Sequence, residues 1–316
     1  VAPQFTILDE RGNWHGPAIE TAVRRGYDAK RITRGGQARG RSGLGFIRPH
    51  AIPAILDRNH LDWVQMAEHL TMVQDYAQVE VYDDKSAQFF RWAKWMPQTW
   101  RFEKLDNALQ FARHFPIEGR WIVSKADVGA SSKNVRILRT RRELIEHCRQ
   151  IFGRGIEVDH CAGGRAGEQA KSRQRGYVLL QEYVQHDITW RVNIIGRGRA
   201  IFKRYNAPGT HVAQTGNVDG VTALDETTTS LLDFADEVFE AIGTRWCALD
   251  ILRYGGSWKL LETSLGWPWP SPGNCMEAQF FGPTTRKWAE LWDLMFDEYE
   301  AGTWTDARAE SPTTFA

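Results

Sequence analysis

Two carboxylates twelve residues apart, Asp250 and Glu262, flank the segment Tyr254-Gly255-Gly256-Ser257. Both are set in apolar sequence: Cys247-Ala248-Leu249 and Ile251-Leu252 surround Asp250, and Leu260-Leu261 precede Glu262. A buried acid needs a partner, and two acids on neighbouring strands can share a hard cation such as Mg²⁺, which takes oxygen ligands. Register decides whether they meet. A clean two-residue turn pairs Tyr254 with Ser257 and Asp250 with Leu261, sending Glu262 to the other face; a three-residue loop or a bulge sets Asp250 against Glu262. Ser264, two residues further on, shares the face of Glu262 if the strand continues.

Three other stretches could carry chemistry. Lys125 to Asn134 joins two predicted strands with small residues, the hydroxyls of Ser131 and Ser132 and a lysine at a strand end, a composition that suits close approach to a phosphate. No Walker A pattern is present, and an ordinary polar hairpin fits the same residues. Gln181-Glu182-Tyr183-Val184 ends an apolar run and is followed by Asp187 and Arg191, so a strand leaving the core there offers backbone groups to a flat heterocycle and a carboxylate to sugar hydroxyls. Lys203-Arg204 closes another strand with two cations; a wet strand end reads equally well.

The elements that position these residues follow from periodicity. A βα opening runs from the strand Phe5 to Leu8 through the helical face Ala18, Ile19, Ala22 and Val23 to Gly26. Arg24 to Arg48 holds eight Arg or Lys against one acid, Asp28, and 34–43 reads as a mobile basic loop. Val79 to Tyr82 reads as a strand and Asp84 to Trp95 as a helix that stops before Pro97. Leu105 to Ala112 and Thr140 to Gly153 are amphipathic helices, the second opened by the capping box Thr140 and Glu143. Strands are expected at Trp121 to Ser124, Val135 to Leu138, Tyr177 to Gln181, Trp190 to Ile195, Ala200 to Arg204, Cys247 to Leu252 and Trp258 to Glu262. Gly153 to Gly176 reads as a mobile insertion. A helix covering Leu231 to Ile242 closes at Gly243, and a last one carries Trp288 to Tyr299 before a polar tail begins near Thr303.

Composition narrows the class of molecule. The chain has 316 residues, 42% hydrophobic and 25% charged, with 14 Trp and 15 Phe, which argues for a folded protein with a sizeable core. Lys and Arg number 40 against 39 acids, so no global field directs it to nucleic acid or an anionic surface. The four cysteines show no metal or disulfide spacing. No apolar run reaches the roughly 18 residues of a membrane span, so the cytoplasm is the expected location.

Taken in order, these pieces resemble the ATP-grasp superfamily, similar to its ribosomal-protein glutamate ligase and D-alanine:D-alanine ligase groups, over most of the chain from Phe5 to the Trp288 helix. Asp84-Lys85 followed by Pro97-Gln98-Thr99 is similar to the family's approach to its ATP-binding half. The resemblance implies an α+β fold with an N-terminal βα domain (1–83), a small central subdomain (84–184), a C-terminal antiparallel-sheet subdomain (185–302) and a tail (303–316). It implies that Lys85 and Lys125 contact ATP phosphates under a flap containing Ser131 and Ser132. Glu182, Tyr183 and Val184 would hold adenine, and Asp187 the ribose. Arg191, Arg204 and Lys203 would act on the transferred phosphoryl, with Asp250, Glu262 and Ser264 on Mg²⁺. The implied chemistry is carboxylate activation by ATP to an acyl phosphate and its capture by an amine, with small-molecule or peptide substrates. Where the family has Glu-x-Asn, this chain has Glu262-Thr263-Ser264, and Asn134 stands at a common glycine. A nucleotide-binding module without ligase activity is the alternative, and RNA binding through Arg34 to Arg48 ranks below it.

Overall fold

The computed structural model describes residues 2–9, 15–48, 53–82, 84–128, 134–160, 170–206, 213–265, 277–283 and 285–304. Three main sheets follow one another along the chain. The first is parallel: β1 (Gln4–Leu8), β2 (Asp28–Ile32), β3 (Leu44–Ile47) and β4 (Thr71–Met72), in the order β2-β1-β3-β4. Its connections include α1 (His15–Arg24) and α2 (Pro53–Ala67), and the short helix α3 (Tyr76–Glu80) follows β4. The predicted strand at Val79 to Tyr82 is replaced by α3 and the turn after it: four residues are too few for a period to declare itself, and Asp75 at the N-cap position fixes the turn by accepting from the Arg245 amide at 3.0 Å.

The basic segment 34–43 is packed onto the domain at its start. It forms a 3₁₀ turn, Gly35–Ala38, with Gly35 and Ala38 buried. Gly35 donates to Asp62 Oδ1 at 2.7 Å, and a Cβ there would lie 2.3 Å from the Asp62 carbonyl oxygen, so glycine is required for contact rather than for freedom. Arg41 is spent internally, donating to Thr6 Oγ1 at 2.7 Å and to the Asp28 carboxylate and carbonyl at 3.1 and 2.6 Å. A guanidinium so engaged does not serve an RNA backbone.

The second group begins with α4 (Lys85–Trp92), capped by Asp84, whose carboxylate accepts from Ala87 N–H at 2.8 Å. Then come β5 (Thr99–Phe102), α5 (Leu105–His114), β6 (Ile122–Lys125), β7 (Val135–Leu138) and α6 (Arg141–Phe152). The expected Thr140–Glu143 capping box opens α6. Within the expected insertion β8 (Ile156–His160) pairs antiparallel with β9 (Ala170–Gln174), and β10 (Val178–Glu182) completes an antiparallel sheet β5-β10-β6-β7. Helices α5 and α6 bury Ala108, Leu109, Leu144 and Ile151 against this sheet.

The third sheet is antiparallel. Its strands are β11 (Ile188–Ile195), β12 (Gly198–Asn206), β13 (Ala213–Gly220), β14 (Trp246–Tyr254), β15 (Ser257–Ser264), β16 (Gln279–Phe281) and β17 (Arg286–Lys287), with α7 (Glu226–Ile242) and α8 (Leu291–Glu300). One face carries Trp190, Val192, Leu249 and Ile251 against α7, and α4 with Trp92, followed by Trp95 in the next turn, joins this core although its sequence neighbours belong to the second sheet. The other face, with Phe202, Trp246 and Ala248, packs with α8 against the first sheet. Trp246 stacks on Trp292 at 5.7 Å and meets Phe46 edge-on at 4.9 Å. Trp304, within the expected polar tail, is buried and donates to the Met295 carbonyl at 3.2 Å; the rest of that tail lies outside the described residues. Among the described residues no helix is long and apolar enough to cross a membrane.

Candidate functional site

The two carboxylates do face one another, by the bulge route. Tyr254 pairs with Ser257 around a two-residue turn whose glycines have φ of 54° and 85°, values that disfavour any side chain. The pairs Arg253–Trp258, Leu252–Lys259 and Ile251–Leu260 follow in step, then the register shifts so that Asp250 lies opposite Glu262. Leu261 is the extra residue. Strand β15 runs on to Ser264, opposite Ala248 and on the face of Glu262.

Arg191 stands opposite Asp250 on β11, and their forks meet at 2.7 Å (Nε to Oδ1) and 2.8 Å (Nη2 to Oδ2). Arg204, on the same face of β12, donates to Asp250 Oδ2 at 2.9 Å. Asp250 is 4% exposed. Burial alone would push its carboxyl up; the Arg191 and Arg204 guanidinium groups outweigh that and hold it well below the usual carboxylate range. Burial likewise weakens the Arg191 cation, and Asp250 more than restores it.

Two lysines arrive from other elements. Lys85 opens α4 and places its Nζ 3.7 Å from Glu262 Oε2. Lys125 ends β6 and donates from Nζ to the carbonyl of the bulged Leu261 at 3.4 Å. Burial, helped by Lys85 nearby, lowers the Lys125 ammonium to about 8, against the pull of Glu262 and Asp250. Four cations therefore gather around two carboxylates, an excess that suits a polyanion.

Gln88, which the sequence pattern does not single out, holds α4 in place. Its amide donates to the Thr263 carbonyl and accepts from the Thr263 N–H, both at 3.0 Å, so the residue beside Glu262 is tied one helical turn from Lys85. The available signal was its i+3 spacing from Lys85 on a helix face.

The remaining expected residues divide. Glu182 and Val184 are buried and Tyr183 partly so at the end of β10, where the Glu182 and Tyr183 amides donate to Gln98 and Trp121 carbonyls at 2.8 and 3.0 Å. The Glu182 carboxylate is turned onto Arg120, which donates from Nη2 at 2.6 Å; Arg120 too is a residue the sequence did not mark. Asp187 is exposed, and its carbonyl accepts from the Asn206 amide at 3.1 Å. Lys203 does not join the arginines. It pairs with Trp190 and projects from the opposite face of the sheet, 5.2 Å over the Trp190 ring, into an open cleft of about 800 Å³ shared with Asp219, Asp225 and Glu277. Strand alternation separates it from Arg204. Ser131 and Ser132 lie outside the described residues, as do Trp267 to Asn274. Of the histidines, His147 is buried with its ring nitrogen 2.7 Å from Ser124 Oγ, and burial lowers it to about 4.

The donors at Asp250, Glu262 and Ser264 are hard oxygens. A carboxylate has about four acceptor positions, and the two arginines use three at Asp250, so about one remains. Among the described residues no group of three or more His, Cys, Asp and Glu gathers. A cation here would thus complete its shell with hydroxyl, water or ligand oxygens, which is the habit of Mg²⁺.

The class defined by this architecture is the ATP-grasp fold, in its α+β form. A RimK domain ATP-grasp protein from Sphaerobacter thermophilus superposes with a TM-score of 0.52 at 15% identity over 83% of this chain and 91% of its own. D-alanine–D-alanine ligase from Bacillus anthracis, complexed with ATP, gives 0.57 at 11% over 96% and 98%. The ATP-grasp ligase PsnB, complexed with minimal precursor, Mg and ADP, gives 0.56 at 11% over 94% and 98%. No protein-family model matches the sequence, and no curated protein does.

Proposed function

We propose that this chain is an ATP-dependent ligase that activates a carboxylate as an acyl phosphate and joins it to an amine, releasing ADP and phosphate. The carrying observation is the bulge that sets Glu262 against Asp250 while presenting the Leu261 carbonyl to Lys125. It brings two carboxylates and Lys125 together, which supports a hard cation and a polyphosphate at one place. Structural neighbours bound to ATP, or to Mg and ADP, support the same reading.

In this reading Lys85 and Lys125 neutralise the nucleotide's phosphates, and the end of β10 lines the heterocycle. With its carboxylate committed to Arg120, Glu182 serves there through its main chain, beside Val184. Mg²⁺, held by Glu262, the remaining position of Asp250 and Ser264, would supply charge neutralisation between phosphates. A substrate carboxylate oxygen attacks the terminal phosphorus and the bond to the bridging oxygen breaks, leaving ADP. Arg191 and Arg204, at the edge of the carboxylate pair, offset charge on the transferring group. The amine lone pair then attacks the acyl carbon, the C–N bond forms, phosphate leaves with the C–O bonding pair, and the nitrogen gives up a proton to solvent.

The test is magnesium-dependent ADP release over a panel of amino acids, peptides and polyamines, with Glu262→Gln as control. Release that needs both a carboxylate and an amine and is lost in the variant supports the proposal; unaltered release in the variant contradicts it. A second reading, nucleotide binding without ligation, is favoured by one observation: three N–H donors from two arginines already occupy Asp250. ATP binding with no ADP release over the whole panel would favour it.

A further inference from the structure

Lys85 and Lys125 lie forty residues apart in sequence, on α4 and β6, so non-covalent bonds must set their separation. Asp127, two residues past Lys125, supplies them with every polar group it has. Its carbonyl accepts from the Lys85 N–H at 3.0 Å, and its Oδ1 accepts from the Ser86 hydroxyl at 2.6 Å. Its Oδ2 accepts from the Tyr177 hydroxyl, and its N–H donates to Gln174 Oε1 at 3.0 Å. These partners come from the first turn of α4, the end of β9 and the residue before β10. The shell is braced in turn: Gln174 Nε2 donates to the Tyr177 carbonyl at 3.4 Å, and Arg101 donates to Ser86 Oγ at 3.3 Å while lying 4.6 Å over the Tyr177 ring. Gln174 is 8% exposed and pairs with Ile156 across the β8–β9 hairpin, where Gly155 leaves no room for a side chain, a Cβ falling 2.7 Å from the Gln174 carbonyl oxygen.

We propose that Asp127 is a positioning residue of the nucleotide site: with Gln174 and Tyr177 it fixes Lys85 relative to Lys125, and it makes the β8–β9 hairpin part of the machinery that recognises a polyphosphate. The proposal rests on the nucleotide reading above. A general packing defect would weaken all nucleotides alike, whereas a shift in lysine spacing falls on the phosphates. The discriminating quantity is therefore the ratio of ATP to AMP affinity, measured by calorimetry on the full chain at fixed magnesium.

Asp127→Asn places an NH₂ against hydroxyl donors, and Gln174→Ala removes the tie to the hairpin. Each is expected to lower ATP affinity by about tenfold, the scale of one hydrogen bond to a charged group, while AMP affinity changes by less than about twofold. Lys85→Ala is the reference, with a loss confined to ATP, and combining it with Gln174→Ala should cost less than the two separately because both act on one contact. Tyr177→Phe removes a single hydroxyl and serves if Asp127→Asn does not fold. An unchanged ratio in Gln174→Ala and in the Asp127 or Tyr177 variant, with a loss in Lys85→Ala, overturns the positioning role alone. An unchanged ratio in Lys85→Ala as well overturns the nucleotide reading and the proposal with it.

Discussion

At Asp250 the cost of burying a carboxylate is offset by a bidentate arginine and by a second arginine on the next strand but one. Removing one partner of such a group leaves a charge with too few bonds. Arg191→Met is therefore expected to lower folding stability by about 3 kcal/mol, the lower end for a broken buried pair because Arg204 remains. Urea unfolding with Asp250→Asn/Arg191→Met as companion checks this; recovery of most of the loss in the double variant is expected. Lys125 has the opposite problem. Its ammonium is lowered from 10.5 to about 8, chiefly by burial, so between those values the unfolded chain holds a proton that the folded one has released. This lysine's contribution to stability accordingly rises with pH across that window and is unfavourable below it. Its use to a ligand runs the other way: a phosphate needs the charged form. ATP affinity is expected to fall as pH rises through about 8, and binding at pH 8.5 to take up a proton, visible as a dependence of the calorimetric heat on buffer ionisation. A flat affinity from pH 7 to 9 would contradict the assignment of Lys125.

At the scale of elements, the β14–β15 hairpin carries the register of a local turn to the candidate site. Gly255 and Gly256 take left-handed φ values, and the register they start is carried to the bulge at Leu261. Gly256→Val is expected to cost about 1–2 kcal/mol, the penalty for a β-branched residue in that region, measured by thermal or urea unfolding, with magnesium-dependent binding weakened as the pairing of Asp250 with Glu262 loosens. Much of this was legible: the apolar flanks marked Asp250 as buried, although Glu262 keeps about a third of its side chain exposed, and the demand that the two acids meet required an odd loop or a bulge. That the turn is two residues and the bulge supplies the rest was not, because Lys125 from a distant strand takes up the extra carbonyl. Lys203 shows the same limit from the other side. Adjacent cations looked alike in sequence, and strand alternation sent one to each face. The arginine- and glycine-rich stretch misled for a related reason: Gly35 is small in order to touch Asp62, and Arg41 is long in order to reach Thr6 and Asp28. Those are tertiary contacts that composition does not carry.

Over the whole molecule, the candidate site lies where pieces from separate parts of the chain converge: the start of α4, the end of β6, and the face of the large sheet that also packs on the parallel sheet. Trp246 sits at that junction, fully buried between Phe46 and Trp292, with its N–H on the Leu265 carbonyl at 3.2 Å. Trp246→Ala is expected to lower stability by about 3–5 kcal/mol, as for other large core truncations, read from the urea midpoint. The near-neutral charge of the chain hides this convergence, since cations and carboxylates gather locally and cancel in the total. The central claim is that Lys85, Lys125, Asp250 and Glu262 form one site for a magnesium-bound triphosphate. Calorimetric titration of ATP with and without magnesium, on the native chain and on Lys125→Met and Glu262→Gln, tests it most directly. The prediction is that magnesium tightens ATP binding to the native chain, that Lys125→Met weakens binding by about tenfold or more, and that Glu262→Gln abolishes the magnesium effect. Equal binding by all three proteins, or a magnesium effect that survives in Glu262→Gln, would contradict it.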